Sequence, residues 1–184
     1  MHDSKKGFIP MQHGLCLSKT QSPSTKEERD HMNKIPYASA IGSIMYAMLC
    51  TRPDVSYALS ATSRYQSDPG DAHWVAVKKI LKYLRRTKDS FLIYGVPSIV
   101  DPIGLYCDNN GAIAQAKEPR SHNRSKHILR RYHLIREIID RGDVKICIVP
   151  TLDNIADPLT KPLAQQKHDG HTRSMGIKGI PDWL

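Results

Sequence analysis

Nowhere in these 184 residues is there a CxxC pair, an internal repeat or an apolar run long enough to cross a bilayer. Each absence removes a class of protein. The four cysteines, Cys16, Cys50, Cys107 and Cys147, lie far apart. That spacing fits buried free thiols in a reducing compartment better than a disulfide framework or a zinc knuckle. The nine histidines supply no metal motif either. His127 and His133 are spaced so that they cannot share a helix face, and His168 and His171, which can, read as surface residues. The most apolar segment, Tyr37–Cys50, is too short for a membrane span and carries Ser39, Gly42 and Ser43, so it reads as a core helix. Met1–Phe8 is polar and does not resemble a signal peptide, which predicts an intracellular protein, cytoplasmic or nuclear, with no membrane partner.

What is abundant is positive charge. Net charge is +9 and the pI is near 9.4, which favours an anionic partner, nucleic acid before others. Residues 1–95 hold 14 Lys+Arg against 8 Asp+Glu and residues 96–184 hold 13 against 10, so the excess is larger upstream. A hydrophobic content of 40% suffices for a modest core in one domain or two small ones.

Residues 1–34 are polar and Gly/Pro-punctuated, read as loop or tail, with Ser24, Thr25, Glu27 and Glu28 marking a short capped helix start. After Pro36, the spacing of Tyr37, Ile41, Ile44, Met45, Met48 and Leu49 predicts one buried helical face. Thr51–Asp54 stops that helix and starts another, with Pro53 in its first turn and Val55, Ala58, Leu59, Thr62 and Tyr65 as its core positions. A third helix, about Ala72 to Thr87, carries an apolar stripe of Trp74, Val77, Ile80, Leu81 and Leu84. Lys78, Lys79, Lys82, Arg85, Arg86 and Lys88 punctuate it with no acid among them. Lys78, Lys82 and Arg85 stack at i, i+4 and i+7 into a basic ridge, which suits a nucleic-acid backbone as well as it suits plain solvation. Phe91–Tyr94 reads as a short strand.

Beyond Gly95 the pattern becomes βαβ, so the fold class expected is α/β, a helical cluster followed by a βαβ unit. Ile103–Cys107 is an apolar strand with Asp108 at its carboxyl end. Asn109–Lys117 is a short helix stopped by Pro119, and a basic linker follows. Ser125 caps a longer helix with core positions Ile128, Tyr132, Ile135, Ile138 and Ile139, closed by Gly142. Asp143–Val149 alternates as a half-buried strand, expected to run parallel to Ile103–Cys107 through a right-handed crossover. A further helix is expected from Thr151 or Asp153, and Gln165–Leu184 reads as frayed or loop-like.

A carboxylate at the carboxyl end of a parallel strand points into the crevice where α/β proteins hold ligands, and Asp108 has that place. Asp157, at a later helix start, can return towards it. Taken alone, the two read equally as a turn former and a helix N-terminal acid. Their surroundings decide otherwise. "YCDNNGAI", "RSKHI", "RRYHLIRE", "RGDVKI" and "NIADPLTKPL" resemble, in order and spacing, the C-terminal half of the ribonuclease H domain of copia-type retrotransposon Pol polyproteins. "IPYASAIGSIMYAMLCTRPDVSYALS" and "HWVAVKKILKYLRRT" resemble the reverse-transcriptase tail that precedes it. The resemblance divides the chain into residues 1–95, tail-like, and 96–184, a truncated ribonuclease H-like half. It implies Mg²⁺-dependent hydrolysis of RNA in RNA–DNA hybrids, with Asp108 and Asp157 as the third and fourth metal-binding carboxylates of a two-metal site.

The departure from that family is as informative. Gly95 passes straight to "VPSIVDPIGLYCD", without the strand bearing the first carboxylate or the helix bearing the glutamate. The family's polymerase aspartates would lie before Met1. The resemblance therefore implies an ancestral activity lost here, with Mg²⁺ held weakly or not at all. It also implies an incomplete sheet whose Ile103–Cys107 edge is open, Phe91–Tyr94 being a candidate substitute strand. What remains is nucleic-acid binding, through Lys78, Lys82, Arg85 and Arg86 or through a second patch of Arg120, Arg124, Lys126, Arg130 and Arg131. The alternatives are a domesticated module that binds RNA or protein, a nuclease completed in trans by another Pol chain, and a decayed reading frame.

Overall fold

The computed structural model describes residues 7–93, 102–117 and 136–179. In chain order the labelled elements are α1 (Lys26–Asn33), α2 (Tyr37–Cys50), α3 (Ser56–Ser63), α4 (Asp71–Arg86), β1 (Ser90–Leu92), β2 (Ile103–Cys107), α5 (Asn110–Lys117), β3 (Val144–Ile148), α6 (Asp157–Thr160), α7 (Gln165–Ser174) and β4 (Ile177–Gly179). Residues 136–140 are also helical. Helix and strand are mixed, as expected of an α/β chain. Contacts divide it into one unit of Met1–Tyr94 with Ile155–Leu184, and a second of Gly95–Asn154.

The first unit is helical and holds the main core. Thr25 caps α1 by accepting from the Glu28 N–H at 3.2 Å, while the Glu28 carboxylate accepts from the Thr25 N–H at 3.2 Å. This reciprocal box is what "STKEE" encodes. Tyr37, Ile41 and Ile44 of α2 meet Val55, Ala58, Leu59, Val77 and Ile80, all buried. Pro53–Val55 forms a single 3-10 turn before α3, the break that Pro53 dictates.

The predicted helical faces need correction. Met45 and Leu49 are exposed, because α3, α4 and the Pro53 turn pack on the Ile41 side of α2. On α4 the buried positions are His73, Ala76, Val77, Ile80 and Tyr83, whereas Trp74, Leu81 and Leu84 are only half-buried. The polar-tipped rings go inside because each finds partners there. The His73 Nδ1 accepts from the Gly70 N–H at 2.9 Å, its Nε2 lies 3.0 Å from the Ser18 carbonyl, and its ring stacks on Tyr65 at 4.0 Å. A satisfied polar ring is as good a core residue as a leucine. Gly70 permits this approach, since a Cβ there would collide with the Gln21 carbonyl.

Three expectations about the chain's ends also change. The polar N-terminal stretch is no free tail, since Met11 is buried in the core and Leu15 and Leu17 pack against it. Gln165–Ser174 is helix rather than frayed chain, and His168 and His171, expected at the surface, are buried on it. The strand read at Phe91–Tyr94 forms at Ser90–Leu92 but pairs antiparallel with β4, Ser90 opposite Gly179, so it does not extend the β2 sheet. Nor do Thr151 and Asp153 cap a helix. Residues 151–153 form a turn, and α6 begins only at Asp157, with Pro158 in its first turn.

In the second unit β2 and β3 pair in parallel, Ile103 opposite Val144 and Cys107 opposite Ile148. Gly142, at φ +82°, closes the helical residues before β3, with its N–H bonded to the Ile139 carbonyl and that of Asp143 to the Ile138 carbonyl. Most of the predicted Ser125–Asp140 helix lies outside the described residues, and so does the crossover's hand. The strands are less buried than their apolar sequence implied: Ile103, Leu105, Tyr106 and Ile148 are all exposed, because no third strand joins them among the described residues. The cysteines differ too, with Cys16 and Cys50 exposed and Cys107 and Cys147 half-buried. No helix among the described residues is long and apolar enough to cross a membrane.

Candidate nucleic-acid interface and ancestral carboxylates

Asp108 follows β2 at the carboxyl end of the parallel pair, where Val149 N–H closes on the Cys107 carbonyl. Its Oδ1 accepts from the Asn154 side-chain amide at 3.0 Å. The neighbouring Asn109 turns the chain into α5 by accepting from the Ala112 N–H at 3.1 Å. Asp157 opens α6 in the other unit. It is buried, and its Oδ2 lies 2.9 Å from the Lys161 ammonium one helical turn on. The two carboxylates thus belong to different units, and each already has a partner.

Mg²⁺ asks for near-octahedral oxygen ligands with charge to spare. The Asp157 carboxylate lies against the Lys161 ammonium, and one Asp108 oxygen accepts from an amide. Among the described residues no three His, Cys, Asp or Glu side chains cluster as a metal site requires.

The basic helix α4 keeps its cations outward, but not as a clean ridge. Lys78 and Lys82 are half-buried and Arg85 and Arg86 exposed. The N-terminal segment runs along one flank: Gly7 approaches the Tyr83 N–H and the Lys82 Cβ, Lys79 donates to the Gln12 side-chain Oε1 at 2.7 Å, and the Arg86 guanidinium lies 4.2 Å over the Phe8 ring. Lys79 and Arg86 are therefore tied down on a face that sequence spacing left open. Arg120, Arg124, Lys126, Arg130 and Arg131 lie outside the described residues.

Sequence reasoning missed a buried polar cluster in the first unit. Arg52 grips Asp54 with two bonds, Nε to Oδ1 at 3.0 Å and a terminal nitrogen to Oδ2 at 2.8 Å, and its other terminal nitrogen donates to the Thr87 carbonyl. The Tyr83 hydroxyl donates to Asp54 Oδ2 at 2.6 Å. His168 of α7 meets Tyr83 edge-on at 5.4 Å. Burial, reinforced by the Asp54 carboxylate, pushes the Tyr83 hydroxyl well above the usual phenol range, so it remains a donor. The signal in the sequence was an Arg-x-Asp flanking a proline between two apolar helices, which reads as a helix break unless Tyr83 is known to come alongside.

Two histidines make this unit acid-sensitive. Burial lowers the pKa of His73, against the opposing pull of the Ser18 carbonyl and Asp68. Burial lowers that of His168 also, against the Asp54 and Asp169 carboxylates. In the unfolded chain both take up a proton near pH 6.5. Below that pH the unfolded state binds more protons than the folded one, until the folded pKa values are reached, so stability is full above about pH 6.5 and falls as the pH drops through this window. We expect the urea midpoint to decline between pH 7 and pH 5 and the decline to shrink in His73→Gln. An unchanged slope in that variant would show that His73 does not carry the effect.

No protein-family model and no solved structure matches the chain. Curated relatives do. The chain is 31% identical over 243 residues to the retrovirus-related Pol polyprotein from transposon TNT 1-94 of Nicotiana tabacum, a match that takes in 92% of the chain and 18% of that protein. It is 26% identical over 221 residues to the retrovirus-related Pol polyprotein from transposon RE2 of Arabidopsis thaliana, covering 79% of the chain and 15% of that protein. A shorter match, 47% identical over 57 residues, joins 31% of the chain to 40% of secreted RxLR effector protein 161 of Plasmopara viticola. The chain thus spans under a fifth of the Pol relatives' length. Of the 243 positions matched to the tobacco protein, 92% of a 184-residue chain supplies about 169, leaving about 74 to the relative alone. The Arabidopsis match leaves about 76 by the same reckoning, 221 positions against 79% of 184 residues. Long motifs in order and relatives over most of its length agree that the chain belongs with the Pol polyproteins of copia-type retrotransposons, as a fragment.

Proposed function

We propose that the chain is a remnant of a reverse transcriptase–ribonuclease H region whose hydrolytic activity is lost and whose remaining capacity is nucleic-acid binding inside the cell. The observation that carries the loss is the short passage from Gly95 to Asp108, where Asp101 is the one acid and no counterpart of the strand and helix bearing the other two carboxylates stands. Two-metal hydrolysis holds ions on both sides of the scissile phosphate and needs several free carboxylates to do so. The surplus of about 74 positions in the tobacco relative supports the same reading, since it leaves room for the strand and helix that bear the other two carboxylates. Binding to RNA–DNA hybrid or to single strands is supported by the net charge of +9 and the outward cations of α4.

The purified chain is expected not to cleave an RNA–DNA hybrid in Mg²⁺ or Mn²⁺. Cleavage that disappears in Asp108→Asn would overturn this and favour a site completed by a second chain. Replacing Lys78, Lys82 and Arg85 by Gln is expected to weaken binding to a hybrid and to flatten the dependence of log K on log salt by up to about three charges' worth, at roughly 0.7 to 0.9 per phosphate contact. Equal salt slopes in the two proteins would assign binding to diffuse charge or to residues 120–131.

A further inference from the structure

We propose that the first unit contains a site for a phosphate-type oxyanion, in the cleft between the carboxyl end of α4, the β1–β4 ribbon and α7. The cleft has a volume of about 330 Å³ and is lined by Arg52, Arg86 and Arg173 together with Ser90, Thr172 and Asp169. Its charges do not balance. Arg52 is neutralised by its two bonds to Asp54. Arg86 and Arg173 have no carboxylate within ion-pair distance among the described residues, while Asp169 stands 3.9 Å from the His168 Nδ1. Two guanidinium groups from helices distant in sequence thus border one cleft without a counter-ion.

Both arginines occupy last turns of their helices, where the backbone dipole favours a cation. That accounts for a positive residue at each helix end but not for their convergence on a shared cavity. Arg86 lies with its guanidinium over Phe8, a contact that holds the group in place while leaving its N–H edge to donate. The planar donor fork suits an oxyanion with several acceptor oxygens, and a phosphoryl group supplies them in two-pronged geometry. Such a group can come from a polynucleotide backbone or from a small phosphate compound. The site is separate from Lys78, Lys82 and Arg85, so the triple substitution described above leaves it intact, and the two readings can fail independently.

The test is titration of the full chain with inorganic pyrophosphate, followed by calorimetry and thermal shift, in wild type, Arg173→Gln and Asp169→Asn. Arg173 is exposed, and its replacement leaves the core untouched. Saturable binding in the wild type is expected, with affinity roughly tenfold lower in Arg173→Gln, the scale of one lost charge-assisted hydrogen bond. Asp169→Asn is expected to bind more tightly, since it removes the one acid in the cleft. Equal affinities in wild type and Arg173→Gln, or no saturation by pyrophosphate, would overturn the site. Competition between pyrophosphate and a short oligonucleotide then identifies the source. Displacement that is lost in Arg173→Gln assigns the site to strand phosphates, and pyrophosphate binding without displacement assigns it to a small phosphate compound.

Discussion

Replacing Asp54 by Ala is expected to remove about 3–5 kcal/mol of stability, the usual consequence of deleting one member of a buried ion pair. Asp54 is 1% exposed and accepts three hydrogen bonds, two from Arg52 and one from Tyr83. Its loss leaves a buried guanidinium with only the Thr87 carbonyl and a buried phenol with no acceptor. Against a typical total of about 5–15 kcal/mol, that is enough to unfold a marginal domain. Urea denaturation of the variant measures it. The triple change Arg52→Met, Asp54→Leu and Tyr83→Phe is the discriminating control, because replacing the entire polar group with apolar side chains is often neutral or stabilising. A triple variant as unstable as Asp54→Ala would show that the damage lies in packing rather than in stranded charge.

The second large effect concerns the segment from Ile155. Leu163 and Ile177 are buried, Ser56 Oγ donates to the Leu159 carbonyl at 3.2 Å, and β4 pairs with β1. A chain ending at Asn154 forfeits burial of these two aliphatic side chains, about 3–6 kcal/mol together. It also uncovers the Tyr83 ring against which His168 lies. We expect that truncated chain to lose its cooperative thermal transition while residues 7–93 keep helical far-UV signal. If instead its melting matches that of the full chain, the C-terminal segment contributes nothing to the core. The resemblance assigns "IADPLTKPL" to the half that begins at residue 96, whereas its helix at Asp157–Thr160 packs on α3 and the Pro53 turn. Ancestral division and packing are separate properties, and this experiment measures the second.

Much of the secondary structure was legible. The box at Thr25 and Glu28, the break at Pro53, the strand at Ile103–Cys107 and the glycine closure at Gly142 all follow from side-chain chemistry acting over four or five residues. The parallel pairing of β2 and β3 follows from the βαβ pattern and was expected. Errors arose where partners are distant. His73 and Tyr83 are inside α4's packed face because Ser18 and Asp54 satisfy them, and no periodicity on α4 reveals that. Lys79 and Arg86 look like free cations until Gln12 and Phe8 arrive from a stretch that composition labels a tail.

The carboxylates show the same division. Residue order alone marked Asp108 and Asp157 as candidates, because long motifs carry chemical identity without any knowledge of the fold around them. Their electrostatic state was beyond it. Lys161 lies one helical turn after Asp157, a spacing the sequence displays, yet only the packing shows that Asp157 is buried while Lys161 stays half-exposed. Local hydrogen bonding and helix or strand periodicity were determined by the sequence, since each involves neighbours within a turn or two. Which polar groups are desolvated, and by whom they are satisfied, was decided by the tertiary structure, since Arg52, Tyr83 and His168 meet only when helices far apart in the chain pack together.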